Sequence, residues 1–168
     1  MSESLLNANG INIAYDEFGE SSAPVILLIM GLGTQMIAWT EEFCLGLVAK
    51  GYRVVRFDNR DVGLSQKFDT QQPPNILKGL LAQKLGIKIK TPYTLYDMAD
   101  DAIGVMDALD IKRAHIVGAS MGGMISQILA AEHPERVMSL TSIMSTSGHK
   151  SLPSASWDVT KHMITRKP

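Results

Sequence analysis

Gly118-Ala119-Ser120-Met121-Gly122 places a serine between two glycines in the pattern G-x-S-x-G. A serine hydroxyl in such a turn suits nucleophilic attack on an acyl carbon. The pattern has a physical basis. A strand that turns sharply into a helix holds its central residue in a strained backbone, with the Oγ raised from the sheet edge. Side chains two residues before and after would collide across that turn, so positions 118 and 122 favour glycine. The helix that follows points its free N–H groups and positive dipole end toward charge forming beside Ser120. The plainer alternative is a serine that only caps a helix.

Acyl transfer also needs donors for the developing oxyanion. The backbone N–H of Met121 is one candidate. The second is that of Leu32, in the loop Met30-Gly31-Leu32-Gly33-Thr34 that follows a buried strand. The same loop supports a rival reading. Gly31-Leu32-Gly33 opens a helix, and Asp58 ends the next strand, as in a dinucleotide-binding fingerprint. The third glycine of that register is Met36, however, and the rival leaves Ser120 without a role. A phosphate loop of the G-x-x-x-x-G-K type fails at Met124, which stands in place of the lysine.

Serine is a poor nucleophile unless a histidine takes its proton, oriented by an acid. His115 precedes Ser120 at the start of its strand, and His133 closes a helix in a His-Pro turn. His149 has only Glu132 and Glu135 between it and Ser120. Asp158 and His162 come in nucleophile–acid–base order but read as part of a solvated polar tail. The catalytic acid and histidine are therefore unassigned. No His/Asp/Glu cluster has ligand spacing, and the single Cys44 excludes an internal disulfide and a cysteine-based metal cluster. Neither a metal nor a cofactor is expected.

The elements that must position these residues follow from periodicity. Ile11, Ile13 and Tyr15 alternate with polar residues as in a half-buried strand, and Val25–Met30 is a short apolar run suited to a central parallel strand. Met36, Trp39, Phe43 and Leu47 predict one amphipathic helix, closed by Gly51. Tyr52–Phe57 reads as a strand delivering Asp58. Leu95, Met98, Ala102, Val105 and Leu109 mark another helix. His115-Ile116-Val117 predicts a strand into the Gly118 turn, Met121 to Glu132 a helix, and Val137 to Met144 a last strand. Alternating strands and helices indicate an α/β fold with a doubly wound, mostly parallel sheet. Residues 66–94 break the rhythm as an inserted helix and loop.

Composition bounds the partners. Sixteen Lys+Arg against 17 Asp+Glu give a net charge of −1 over 168 residues, which supplies no basic footprint for nucleic acid or an anionic membrane. With 45% hydrophobic and 20% charged residues the chain is ordinary for a globular protein. Val25–Met30 is far short of a membrane span, and Met1-Ser2-Glu3-Ser4 lacks the start of a secretion signal. A cytoplasmic location is expected.

From Ile11 to Ser147 the chain resembles the α/β-hydrolase superfamily. The likeness rests on the Gly31–Gly33 loop, Phe57-Asp58-Asn59-Arg60-Asp61-Val62-Gly63-Leu64-Ser65, the Ser120 turn and Ala131-Glu132-His133-Pro134-Glu135-Arg136-Val137. Members commonly read D-x-R-G-x-G-x-S in the second stretch, where Asp61 replaces the glycine, and many open the loop with His-Gly where this chain has Met30-Gly31. The M-G-L-G-T form with a nearby tryptophan is most similar to aclacinomycin methylesterase-like carboxylesterases.

The resemblance implies an esterase with Ser120 as nucleophile, Leu32 and Met121 as oxyanion donors, Gly118 and Gly122 as turn glycines, and a small-molecule ester as substrate. It implies that Asp58 and Arg60 brace the loop after their strand, and that Trp39 and residues 73–92 border the pocket. It also implies that residues 1–146 are the N-terminal part of a hydrolase domain cut after about the sixth strand. Residues 147–168 would then be a polar tail or the start of a cap region. The acid and histidine would lie on loops after two further strands, leaving the chain inactive alone and its sheet edge open to self-association. The other expectations are a non-catalytic binding protein and a truncation product without function.

Overall fold

A computed structural model describes residues 4–68 and 91–149, with Ser151, Leu152, Ser156, Val159 and Lys161. Six strands form one sheet: β1 (Ser4–Ala8), β2 (Ile11–Phe18), β3 (Val25–Ile29), β4 (Arg53–Phe57), β5 (Ala114–Ala119) and β6 (Val137–Ile143). Their spatial order is β1-β2-β4-β3-β5-β6. The β1–β2 and β2–β4 pairs are antiparallel, and the β4–β3, β3–β5 and β5–β6 pairs are parallel. Three helices complete the described fold: α1 (Glu41–Val48), α2 (Leu95–Ala108) and α3 (Met121–Glu132).

Alternation along the strands builds two cores, one on each face of the sheet. Val25, Leu27 and Ile29 of β3 join Val55, Phe57 and Ile116 beneath Met98, Ala102 and Val105 of α2 and Ile125 and Leu129 of α3. Ile26 and Leu28 face the other way, with Phe18, Val54, Trp39 and Cys44. That is why Val-Ile-Leu-Leu-Ile is apolar at every position. The α2 start is set by a capping box, in which the Thr94 hydroxyl accepts from Asp97 N–H while the Asp97 carboxylate accepts from Thr94 N–H.

Several elements depart from the sequence expectation. The helix expected from Met36 through Leu47 is broken into a 3-10 turn, Met36–Ala38, and α1. Thr40 caps α1 by accepting from Phe43 N–H at 3.2 Å. The buried Arg56 guanidinium donates to the Trp39 carbonyl between the two pieces. The strand expected from Tyr52 begins at Arg53, and that expected to reach Met144 ends at Ile143. Strand β1 was not evident from the residue pattern, because its Ser-Leu-Leu-Asn-Ala is largely exposed on the sheet edge.

Most of the 66–94 insertion and of the 147–168 tail lies outside the described residues. Among those described, no helix is long and apolar enough to cross a membrane.

Candidate active site

Ser120 is the single residue between β5 and α3. Its backbone sits at φ 54° and ψ −120°, a conformation that side chains rarely adopt, at a strain of about 1–3 kcal/mol. Two sets of bonds hold it there. Ser120 N–H donates to Ile143 O of β6 at 2.9 Å, and Ser120 O accepts from Gly123 N–H at 3.0 Å. The Ser120 side chain makes no cap hydrogen bond. It is therefore not a helix-capping serine, and its hydroxyl is left for other work.

The two turn glycines are needed for different contacts. A Cβ on Gly118 would fall 2.2 Å from Gly122 O and 2.3 Å from Ser126 Oγ. A Cβ on Gly122 would fall 2.1 Å from Ile29 O, at the end of β3. Position 118 is thus glycine for the turn itself, whereas position 122 is glycine because the helix start presses on the neighbouring strand. Gly31 brings the loop after β3 against the serine: a Cβ there would lie 3.1 Å from Ser120 Cβ and 3.5 Å from its Oγ. Thr34 occupies the loop's carbonyls, donating from N–H to Gly31 O and from Oγ1 to Leu32 O. Among the described residues neither Leu32 N–H nor Met121 N–H has an acceptor. Two unengaged donors, one opening the helix after Ser120 and one next to Gly31, can polarise a carbonyl oxygen that reaches both.

Asp58 and Arg60 brace their loop, as expected. The Asp58 carboxylate accepts from Met36 N–H at 2.7 Å and Leu64 N–H at 3.1 Å. Both of its oxygens being engaged, and the turn after Gly33 being a three-residue 3-10 turn rather than an α-helix, the dinucleotide reading loses its ribose acid and its phosphate helix. Arg60 makes a two-pronged pair with buried Asp101, each contact 2.6 Å, and its guanidinium lies 5.0–5.1 Å from the Tyr93 and Phe68 ring centres.

Asp61, in place of the family glycine, stands at φ 66°. Its carboxylate accepts from Phe68 N–H at 2.7 Å and Tyr93 OH at 2.6 Å. Burial first, then the bond to Asp61, pushes the Tyr93 hydroxyl up to about 12. Trp39 is buried in the second core and stacks on Phe43 at 5.5 Å.

The described histidines do not join Ser120. His115 Nδ1 lies 2.8 Å from Ser139 Oγ, five strand residues and about 16 Å from the turn. His133, at the far end of α3, sits 3.8 Å from Asp100 and 3.9 Å from Glu135. His149 is bound within its own turn to Ser151. Asp158 and His162 lie outside the described residues. So do residues 73–90, most of the expected pocket border. No group of three or more His, Cys, Asp or Glu among the described residues could hold a metal ion.

One contact near the site had no counterpart in the sequence reading. Asn59 Nδ2 donates to Met30 O at 2.8 Å, at the start of the loop facing Ser120. The signal that points to it is the parallel β3–β4 register, which pairs Ile29 with Phe57 and so lays Met30 beside the residues after Phe57.

Residues 24–166 match the model of a family described by the alpha/beta hydrolase fold. The chain belongs to that family. It is 31% identical over 137 residues to rhodomycin D methylesterase of Streptomyces sp. (strain C5), covering 82% of this chain and 40% of that protein. Among solved structures, the enol-lactonase from Burkholderia xenovorans LB400 is 32% identical with a TM-score of 0.61, over 80% of this chain and 44% of that one. A bacterial membrane phospholipase A is 27% identical with a TM-score of 0.74, over 96% of this chain and 45% of that one. The chain thus spans less than half the length of each of these relatives. The fold expected from the sequence, an α/β-hydrolase sheet of about six strands, is the one observed.

Proposed function

We propose that the protein is a serine hydrolase acting on small-molecule carboxylic esters through an acyl-enzyme. Ser120 Oγ adds to the ester carbonyl carbon as its proton passes to a base, and collapse of the tetrahedral adduct expels the alcohol. Water then cleaves the acyl-serine, releasing the acid and restoring the hydroxyl. The N–H groups of Leu32 and Met121 hold the oxyanion through both steps, and Gly118 and Gly122 admit the turn that presents Ser120.

The observation that carries this reading is the Ser120 backbone at φ 54°, ψ −120°, its side chain free of any cap bond and packed against Gly31. The names of the relatives, a methylesterase and a lactonase among them, support the ester class. We place the base and acid outside the described residues, since each described histidine is engaged elsewhere. Loss of a triad histidine costs about as much as loss of the whole unit, so turnover by the described residues alone is expected to be slight.

Hydrolysis of p-nitrophenyl esters, with Ser120→Ala as control, tests the reading. Turnover slightly above buffer that Ser120→Ala abolishes is expected. Turnover that survives Ser120→Ala overturns it.

A further inference from the structure

The two residues that follow β4 hold both ends of the loop that follows β3. Asn59 Nδ2 donates to Met30 O at 2.8 Å, and Asp58 Oδ1 accepts from Met36 N–H at 2.7 Å. Both residues are 2% exposed, whereas Leu32, between the two ties, is 70% exposed. An open loop is thus fastened at its two roots by side chains that solvent does not reach.

The two ties demand opposite chemistry. Asp58 faces two N–H groups, Met36 and Leu64, and must accept. Asn59 faces a carbonyl and must donate, which a carboxylate cannot do. An acid at 58 followed by an amide at 59 satisfies both. Fixing Met30 O fixes the plane of the Met30–Gly31 peptide, and Gly31 is the residue packed against Ser120.

We propose that Asn59 is a positioning residue that sets the Leu32 N–H against Ser120. The inference rests on the ester-hydrolase reading above, in which that N–H receives the oxyanion. Asn59 touches neither substrate nor Ser120. It acts through the Met30 carbonyl, and misplacement of a donor by about 1 Å is enough to slow a reaction by up to 100-fold.

The test uses the full chain with Asn59→Ala, Asn59→Asp and, as a control for simple destabilisation, Thr94→Ala in the remote α2 cap. Nitrogen-15 relaxation reports the order of the Gly31 and Leu32 amides, and mass spectrometry follows the phosphonylation of Ser120 by a fluorophosphonate. In both Asn59 variants the order parameters of Gly31 and Leu32 fall from about 0.85 to below about 0.6. Ser120 labelling slows about tenfold or more, most in Asn59→Asp, where a carboxylate opposes the carbonyl. Thr94→Ala lowers the melting temperature and changes neither readout. Asn59 variants that keep wild-type order and labelling, or that change no more than Thr94→Ala, overturn the inference. If wild-type Ser120 takes no label at all, the ester-hydrolase reading fails, and the order parameters alone still decide whether Asn59 sets the loop.

Discussion

Strands β3 and β6 flank the same strand, β5, and both pair with it in parallel, yet one is sealed and the other bare. Every residue of β3 is buried, whereas Met138 through Ser142 of β6 are all exposed. The difference shows where the support for Ser120 comes from. The sealed side supplies the loop with Gly31, the ties from Asp58 and Asn59, and the carbonyl of Ile29 against Gly122. The bare side supplies one backbone bond, from Ser120 N–H to Ile143 O. The strained turn is therefore built mainly on the buried β3 side of β5.

Paired truncations test that comparison most severely. Leu28→Ala in β3, fully buried, should lower the unfolding free energy by about 2–5 kcal/mol. Leu140→Ala in β6, 39% exposed, should lower it by about 0.5 kcal/mol or less. Urea denaturation measures both, and equal losses would erase the distinction between the two strands.

A smaller effect lies at high pH. Tyr93 is held protonated by burial and by the Asp61 carboxylate, with its hydroxyl raised to about 12 from the usual 10. A raised folded value means that the contribution is complete below pH 10 and is lost as pH rises through 12. Wild-type protein should therefore lose more stability than Tyr93→Phe between pH 10 and 12. Thermal melts across that range measure the difference, and parallel curves would show that the Asp61–Tyr93 bond contributes nothing.

The smallest effect concerns the bare edge. β6 closes the strand order on one side, with Met138, Leu140 and Met144 exposed nearby. We expect weak self-association through this edge, and Thr141→Lys should reduce it, because a lysine on an edge strand discourages further pairing. Sedimentation velocity over a concentration series reads the change. Association unaltered by Thr141→Lys would place the contact elsewhere.

Much of this arrangement was legible in the sequence, and the reasons differ by element. The bounds of α3 are legible because local demands coincide at the Ser120 turn: a short strand, two glycines and an apolar helix face. The strand before it runs over Ala114–Ala119, past the expected His115–Val117. The periodicity from Met36 runs unbroken through Trp39 and Thr40, whereas the observed break lies where Arg56, 17 residues away, donates to the Trp39 carbonyl. Strand β1 is not legible because an exposed edge strand needs no alternating pattern. The contact of Asn59 with the Met30 carbonyl is not legible for a similar reason, since it depends on which strand lies beside β4. The exposure of β6 likewise depends on what covers a strand, which its own residues do not state.

The most direct test of the central claim is the labelling of Ser120 by a fluorophosphonate, followed by mass spectrometry with and without added imidazole. The account predicts slow modification confined to Ser120, abolished by Ser120→Ala and accelerated by imidazole acting as the base. Modification spread over other serines, or none at Ser120 even with imidazole, would contradict the assignment of the nucleophile.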